Sequence, residues 1–333
     1  MKRGLVFGKF LPFHKGHKAL IGFALQYCDE LIVLVCGSDK EDIDTQIRVD
    51  WIKQTFKKNK RIIVQGFDYK ESELPNTSES SRMISQLWAS KFKEILPFCD
   101  VLISSEKYGD YVAEYLDIKH ISFDEKRKKH QISSSIIRED IVGNWNYITE
   151  AARPFFQKKV VVLGTESTGK STLCNTLSHY FGANLITEAG RDIVENSADF
   201  SQKELYQIIE AHTNQIKKAH LDAKPLMIMD TDIHITQSYS KFTFGEYLNV
   251  DASIYNLHKA DLYIYLSNDV PFVQDGTRMS LEMRNALDDA HRQTLKDFNI
   301  NYHEIKSHQY GNRFNQAVKL IETMLLNQSK TDN

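Results

Sequence analysis

Cysteine is scarce: 333 residues hold four, Cys28, Cys36, Cys99 and Cys174, widely spaced and with no C-x-x-C pair. That spacing provides neither a zinc site nor a disulfide framework, and it points to a reduced, cytoplasmic setting. A surplus of one charge is also lacking. Lys and Arg number 42 against 44 Asp and Glu, a net charge of −2, which gives no global argument for a nucleic-acid or membrane partner. Long hydrophobic runs are missing too: stretches such as Leu31–Cys36 are far too short to span a bilayer. A strand pattern begins at Arg3, which leaves no room for a signal peptide. Internal repeats, coiled-coil heptads and low-complexity tracts are absent. What remains is ordinary globular composition, 41% hydrophobic and 26% charged. At this length about two domains are expected.

The apolar segments that are present are short and alternate with helical patterns. In the first half they fall at Gly4–Phe7, Leu31–Cys36, Arg61–Val64, Val101–Ile103 and His120–Phe123. Helical stretches lie between them near Lys18–Tyr27, Gln46–Lys57, Ser81–Leu96 and Tyr108–Tyr115. Strands alternating with helices predict a parallel sheet covered by helices, a Rossmann-like doubly wound domain. The polar segment Lys70–Ser78 reads as an exposed loop or flap. Ala151-Ala152-Arg153-Pro154 interrupts any helix, so the boundary falls between Thr149 and Lys158. A first domain then covers residues 1–152 and a second 158–328. The second repeats the alternation, with strands expected at Val160–Leu163, Asn184–Thr187, Leu226–Met229, Leu262–Leu266 and Tyr302–Ile305. Its helices are expected at Lys170–Tyr180, Gln202–Leu221, Arg284–Phe298 and Phe314–Leu326. The fold class is α/β, with a parallel sheet in each domain.

Chemistry enters most plainly at Gly164-Thr165-Glu166-Ser167-Thr168-Gly169-Lys170-Ser171, a complete phosphate-binding loop of the pattern G-x-x-x-x-G-K-[ST]. A β-run precedes it and a helix follows, the context that separates a mechanism from a chance match in a Gly/Ser-rich turn. Gly164, Glu166, Ser167, Thr168, Gly169, Lys170, Ser171 and Thr172 are then nucleotide contacts. Backbone N–H groups and the open helix end face the phosphates, Lys170 reaches their outer oxygens, and Ser171 ligates Mg²⁺.

A second constellation lies at the end of the first strand, Gly8-Lys9-Phe10-Leu11-Pro12-Phe13-His14-Lys15-Gly16-His17. Two histidines at a helix N-terminus sit in a region of positive dipole, and Gly16 lets a backbone approach closely. No third ligand at helical spacing supports a metal there. This segment resembles the signature of the nucleotidylyltransferase superfamily. The superfamily's second signature, I-S-x-[ST]-x-x-R, has its counterpart at Ile132-Ser133-Ser134-Ser135-Ile136-Ile137-Arg138. The resemblance implies adenylyl transfer without a protein nucleophile. His14 and His17 would hold the phosphates of ATP, and Lys9 would contact phosphate. Gly8, Phe10, Ser133 and Ser134 would border the nucleotide, and Arg138 would clamp the leaving pyrophosphate. Arg48 reads either as a substrate-phosphate contact or as a solvated helix residue. The basic run Lys126–His130 reads either as a triphosphate-facing loop or as a solvated one.

In the second half, the strand Leu226–Met229 ends in Asp230-Thr231-Asp232. Asp230 is the first candidate to hold Mg²⁺ or accept a hydroxyl proton, with Asp232 behind it and a helix N-cap as the alternative role. Glu188 and Arg191 are candidate acceptor contacts, and Arg278 with Arg284 reads as a lid or as a plain surface loop. A nucleotidylyltransferase domain followed by a phosphate-loop kinase domain resembles the NadR-type bifunctional family across nearly the whole chain. Further segments supporting the resemblance are Ser104–Tyr108, the Trp145–Phe156 junction and Glu188–Asp192.

The resemblance implies a ribosylnicotinamide kinase joined to a nicotinamide-mononucleotide (NMN) adenylyltransferase, enzymes of NAD biosynthesis. ATP would be co-substrate and Mg²⁺ cofactor in both sites, with NMN and nicotinamide riboside as the other substrates. The helix-turn-helix module of some members has no counterpart here, so no specific DNA binding is expected; a homo-oligomer stays open. The alternative keeps the folds but adenylylates another phosphorylated vitamin precursor, with the phosphate-loop domain as a nucleotide sensor. Trp88 and Trp145 are candidates for stacking on a nicotinamide ring or are core residues.

Overall fold

The computed structural model describes residues 1–76, 81–126, 128, 131–194, 200–269 and 280–327. The chain divides into two compact units, Met1–Arg153 and Pro154–Asn333. In the first, β1 (Arg3–Gly8), α1 (Lys15–Ala24), β2 (Glu30–Ser38), α2 (Thr45–Thr55) and β3 (Ile62–Tyr69) follow one another. Then come α3 (Arg82–Ile95), β4 (Val101–Ser104), α4 (Tyr108–Leu116), β5 (Lys119–Ser122) and α5 (Ser134–Glu139), before a 3₁₀ turn at Trp145–Tyr147. The strands form one parallel sheet in the order β3-β2-β1-β4-β5. β2 is buried over nearly all its length, as an interior parallel strand must be. β3 lies at the edge and runs well past Val64, to Tyr69, paired with β2 throughout. Its second half, Gln65-Gly66-Phe67-Asp68-Tyr69, alternates polar and aromatic residues, and an apolar run alone misses such a half-exposed edge strand.

α6 (Arg153–Phe156) spans the boundary between the units. Pro154 does not exclude a helix here, because it lies in the first turn, where a missing N–H is one of the orphans anyway. The second unit continues with β6 (Lys158–Leu163), α7 (Lys170–Phe181), β7 (Asn184–Ile186), α8 (Gly190–Ile193) and α9 (Gln202–Leu221). After these come β8 (Leu226–Asp230), α10 (Ile233–Phe244), α11 (Ala252–His258), β9 (Leu262–Leu266), α12 (Leu281–Asp297), β10 (His303–Ile305) and α13 (Tyr310–Asn327). Its parallel sheet has the order β10-β9-β6-β8-β7.

The two-residue period of β6 divides the core of this unit. Val160 and Val162 pack with Leu173, Cys174 and Leu177 of α7 and Ala317 and Ile321 of α13. Val161 and Leu163 face the other way, toward Ile216 of α9, Ile235 of α10 and Leu295 of α12. The four cysteines are free and buried, and no helix among the described residues is long and apolar enough to cross a membrane.

Candidate active sites

In a doubly wound sheet the ligand crevice opens beyond the carboxyl ends of the strands, where the strand order reverses. In the first sheet that place is between β1 and β4. A cavity of about 210 Å³ lies there, lined by His14, Gly16 and His17 after β1 and by Ser105 and Glu106 after β4. Ser133, Ser134 and Ser135 complete it, so both sequence signatures contribute to one cavity. The His14 and His17 rings stack 3.7 Å apart. Gly16 N donates to His14 Nδ1 at 3.1 Å; in the neutral ring the proton then sits on Nε2, where it can be donated to a phosphate oxygen. His14 is also the N-cap of α1. Behind His17, Phe13 lies parallel at 6.2 Å and Phe10 edge-on at 5.0 Å.

Phe10 was expected beside the nucleotide. Its side chain is instead 2% exposed and braces His17, because a large apolar ring in a short loop gains most by joining the aromatic cluster beneath. Arg138 donates from Nη1 to Leu11 O at 2.6 Å, tying the second signature to the first loop. Ser133 caps α5 by accepting from Ile136 N at 3.3 Å. Of the basic run, Lys126 and Lys128 are exposed, and the other residues except Lys126 and Lys128 lie outside the described set.

Lys9 and Arg48 stand apart from that cavity. Arg48 is not solvated: it is 1% exposed, with Nη1 2.5 Å from Glu41 Oε2 and 3.0 Å from Lys9 O, and Nη2 3.1 Å from Thr45 Oγ1. It reads as solvated in the sequence because Glu41 and the Lys9 carbonyl come from loops outside α2. Lys9 Nζ lies 2.8 Å from the other Glu41 oxygen, so one buried carboxylate holds both cations. Gly8 and Lys9 line a second cavity of about 140 Å³ with Phe7, Tyr69, Trp88 and Tyr108. Trp88 donates from Nε1 to Pro75 O at 3.1 Å and stands edge-on to Tyr69. Trp145, by contrast, is 6% exposed and is a core residue.

In the second unit β6 runs into Gly164 at φ +137°, where a Cβ would stand 2.7 Å from Leu266 O; only glycine fits. Thr168 Oγ1 donates to Thr165 O at 2.9 Å and Lys170 Nζ to the same carbonyl at 3.0 Å, which folds the loop around its own lysine. Gly169, at φ +84°, caps α7 without a side-chain bond, so no capping side chain occupies the first helical N–H groups, the arrangement an anion-binding helix end requires. Ser171 is half-buried on the first turn, and Thr172 is exposed, its carbonyl accepting from Tyr310 OH at 3.1 Å. Arg284 is buried on α12, its Nε donating to Glu166 O at 3.1 Å. Arg278 and the segment before it lie outside the described residues.

Arg313 is a residue that motif reading missed. It donates to the carbonyls of Thr168 and Ser267 and stands 3.7 Å from Asp269. Its signal was an arginine at the head of the buried 313-317-321 stripe of α13, where periodicity calls for an apolar side chain.

Asp230 ends β8, 3% exposed, in register with Val162 of β6. The N-cap role falls to Asp232, whose Oδ1 accepts from His234 N at 3.0 Å and Oδ2 from His234 Nδ1 at 2.6 Å. Burial opposes charge on both partners. Even so, contact with His234 holds Asp232 below its ordinary value, and Asp232 raises His234 above its own.

A cavity of about 300 Å³ joins Glu166, Ser167 and Lys170 to Glu188 after β7 and Asp232 after β8. Its remaining wall is largely apolar, from Phe200, α9, Ile233 and Ile235. Arg191 lies on α8, with its side chain outside the described set. Among the described residues no three His, Cys, Asp or Glu side chains group to hold a metal by themselves. Ser171 and Asp230 offer one hydroxyl and one carboxylate, a hard-oxygen pair that suits Mg²⁺ sharing its shell with substrate phosphates and water.

Residues 5–140 match the cytidylyltransferase-like family model, and residues 159–313 match that of the AAA domain. The trifunctional NAD biosynthesis/regulator protein NadR of Escherichia coli is 32% identical over 346 aligned positions, covering 97% of this chain and 83% of that protein. The protein of the same name from Salmonella typhimurium is 30% identical over 349 positions, with the same coverage. A solved structure of a NadR protein in complex with NR has the same fold: the TM-score is 0.73 at 19% identity, over 97% of this chain and 96% of that one. The likeness covers nearly the whole chain and so runs through both units, and on it the chain belongs to the NadR family.

Proposed function

We propose that this protein catalyses two successive ATP-dependent steps of NAD biosynthesis. The second unit phosphorylates nicotinamide riboside to NMN, and the first adenylylates NMN to NAD, releasing pyrophosphate. The observation that carries this reading is that each sheet holds its own phosphate cradle, of a different kind: a stacked histidine pair after β1 and a lysine-bearing loop after β6.

In the kinase site the riboside 5′-hydroxyl attacks the γ-phosphorus, a new P–O bond forms, and the bond to the β-phosphate oxygen breaks, leaving ADP. Lys170 and the α7 N-terminus stabilise charge on the transferring group. Asp232 has one oxygen committed to the backbone N–H of His234 and the other to its Nδ1. Glu188 lines the same cavity as Lys170 and takes the hydroxyl proton. Ser171 and Asp230 would hold Mg²⁺, which when bound supplies Lewis-acid neutralisation of the phosphates. Arg284 fixes the phosphate loop through Glu166 O.

In the adenylyltransferase site a phosphate oxygen of NMN attacks the α-phosphorus and pyrophosphate leaves. His14 and His17 donate to the phosphates, and the Ser133–Ser134 helix start receives the leaving group. Arg138 stands behind them on α5, positioning the first loop through Leu11 O. The cavity with Lys9 and Trp88 is assigned to the mononucleotide. No specific DNA partner is proposed.

The test is a product assay with nicotinamide riboside and ATP, following NMN and NAD separately. Failure to form NMN removes the kinase half of the reading; failure to form NAD from supplied NMN removes the other half.

A further inference from the structure

One polar side chain on the wall of the kinase cavity has no part in the chemistry above. Leu205, Ile208, Ile209 and His212 recur at i, i+3, i+4 and i+7 along α9, and all four line the cavity. Three are apolar and the fourth is an imidazole. His212 is 3% exposed, and neither ring nitrogen has a hydrogen-bond partner among the described residues. Buried polar groups in folded proteins are almost always paired, so such a side chain asks for a partner. The adjacent His258 has one, Thr213 Oγ1 at 3.0 Å from its Nε2, and its ring lies 5.2 Å from that of His212. Burial pushes the His212 pKa down to about 4, against the upward pull of Asp232 and Glu188. At neutral pH the ring is therefore uncharged, with one N–H donor and one bare acceptor nitrogen.

A pyridinium riboside presents matching chemistry. Its 5′-hydroxyl must lie at the Lys170 end of the cavity, which sends the planar ring toward the apolar α9 wall. A protonated histidine there would repel the cationic ring, whereas a neutral one does not. The ring carboxamide offers one carbonyl acceptor and an amino donor, the complement of a neutral imidazole. Resting on the proposed kinase function, we propose that His212 is a specificity-determining residue that hydrogen-bonds the ring carboxamide of the acceptor riboside.

The experiment compares nicotinamide riboside with pyridine riboside, which lacks the carboxamide, on the full chain and on His212→Phe and His212→Asn. KM for ATP in the kinase reaction, together with the urea midpoint for loss of kinase activity, serves as the folding control for the second unit. His212→Phe should raise KM for nicotinamide riboside by about tenfold or more, the scale of one buried hydrogen bond, with KM for ATP unmoved. His212→Asn, which keeps a donor and an acceptor, should recover most of that loss. Pyridine riboside should show the same high KM with the unaltered chain and with His212→Phe. An unchanged KM in His212→Phe overturns the inference alone, as does an equal loss for both ribosides. The unaltered chain gives an arm free of mutation: equal KM for the two ribosides also rejects the carboxamide contact. An unaltered chain that phosphorylates neither riboside overturns the kinase reading and this inference with it.

Discussion

Removing the Lys170 ammonium takes away a charge buried at the mouth of α7 while leaving the loop's backbone cradle in place. Lys170→Ala should lower riboside phosphorylation by about 10²- to 10³-fold, the usual scale for one preorganised charge-stabilising donor. Adenylylation by the same protein should stay near normal; a parallel fall in both would reject the division of labour. His17→Ala should do the converse, since His17 belongs to the cavity of the first sheet. Arg48 calls for a different measurement. Its partner Glu41 is 7% exposed at the side chain, and losing the guanidinium leaves that carboxylate with Lys9 and the Ser38 N–H. Arg48→Met should cost about 3 kcal/mol of stability in urea denaturation. Arg48→Lys should not rescue it, because a single ammonium nitrogen cannot stand at the positions of both Nη1, which meets Glu41 and Lys9 O, and Nη2, which meets Thr45 Oγ1. At this scale the motif residues were legible because phosphate chemistry limits the residue types at fixed spacing. Arg48, Arg313 and His212 were not, because their meaning comes from partners on distant elements.

Among the described elements, each of the ten strands overlaps an expected one, most of them through an apolar run, and helices with one buried face left a periodic one. α10 and α11 left neither. α10 buries Ile233, His234, Ile235, Thr236, Gln237, Ser238 and Ser240, a helix whose enclosed residues are largely polar. It is stable because those groups are paired: Gln237 exchanges bonds with Leu248 O and N at 3.0 and 2.7 Å, and Ser240 reaches Glu246 O. No hydrophobic period could announce it.

The same polar interior sets a pH dependence. Burial pushes His212 down to about 4 and both His258 and His291 to about 3, from an ordinary 6.5. Between those values and 6.5 the unfolded chain binds protons that the folded chain does not, so stability rises with pH through this window and levels off above it. Each histidine contributes a slope of up to about 1.4 kcal/mol per pH unit. The raised His234 works the other way: its contribution is present below 6.5 and is lost as pH climbs through its folded value. Urea midpoints for loss of kinase activity should therefore fall steeply from pH 7 to pH 5, and a flat profile would refute the account.

The whole molecule is two sheets, each with a reversal of strand order and a candidate phosphate cradle built from its own residues. The histidine pair, Ser105, Glu106 and Ser133–Ser135 all belong to the first unit. The phosphate loop, Glu188 and Asp232 all belong to the second. Neither constellation borrows a described side chain from the other, so a lesion in one leaves the other chemically complete. The two reactions are linked instead by a molecule, the mononucleotide that one makes and the other consumes. This arrangement predicts complementation. His17→Ala alone, given nicotinamide riboside and ATP, should accumulate NMN and make no NAD, and Lys170→Ala alone should make neither. Mixed in one vessel, the two proteins should form NAD after a lag in which free NMN rises first. The lag should shorten as the His17→Ala protein is increased, because that protein supplies the intermediate. NAD formation that stays absent in the mixture, while each protein performs its remaining reaction, would mean that the product of one site does not reach the other through solution.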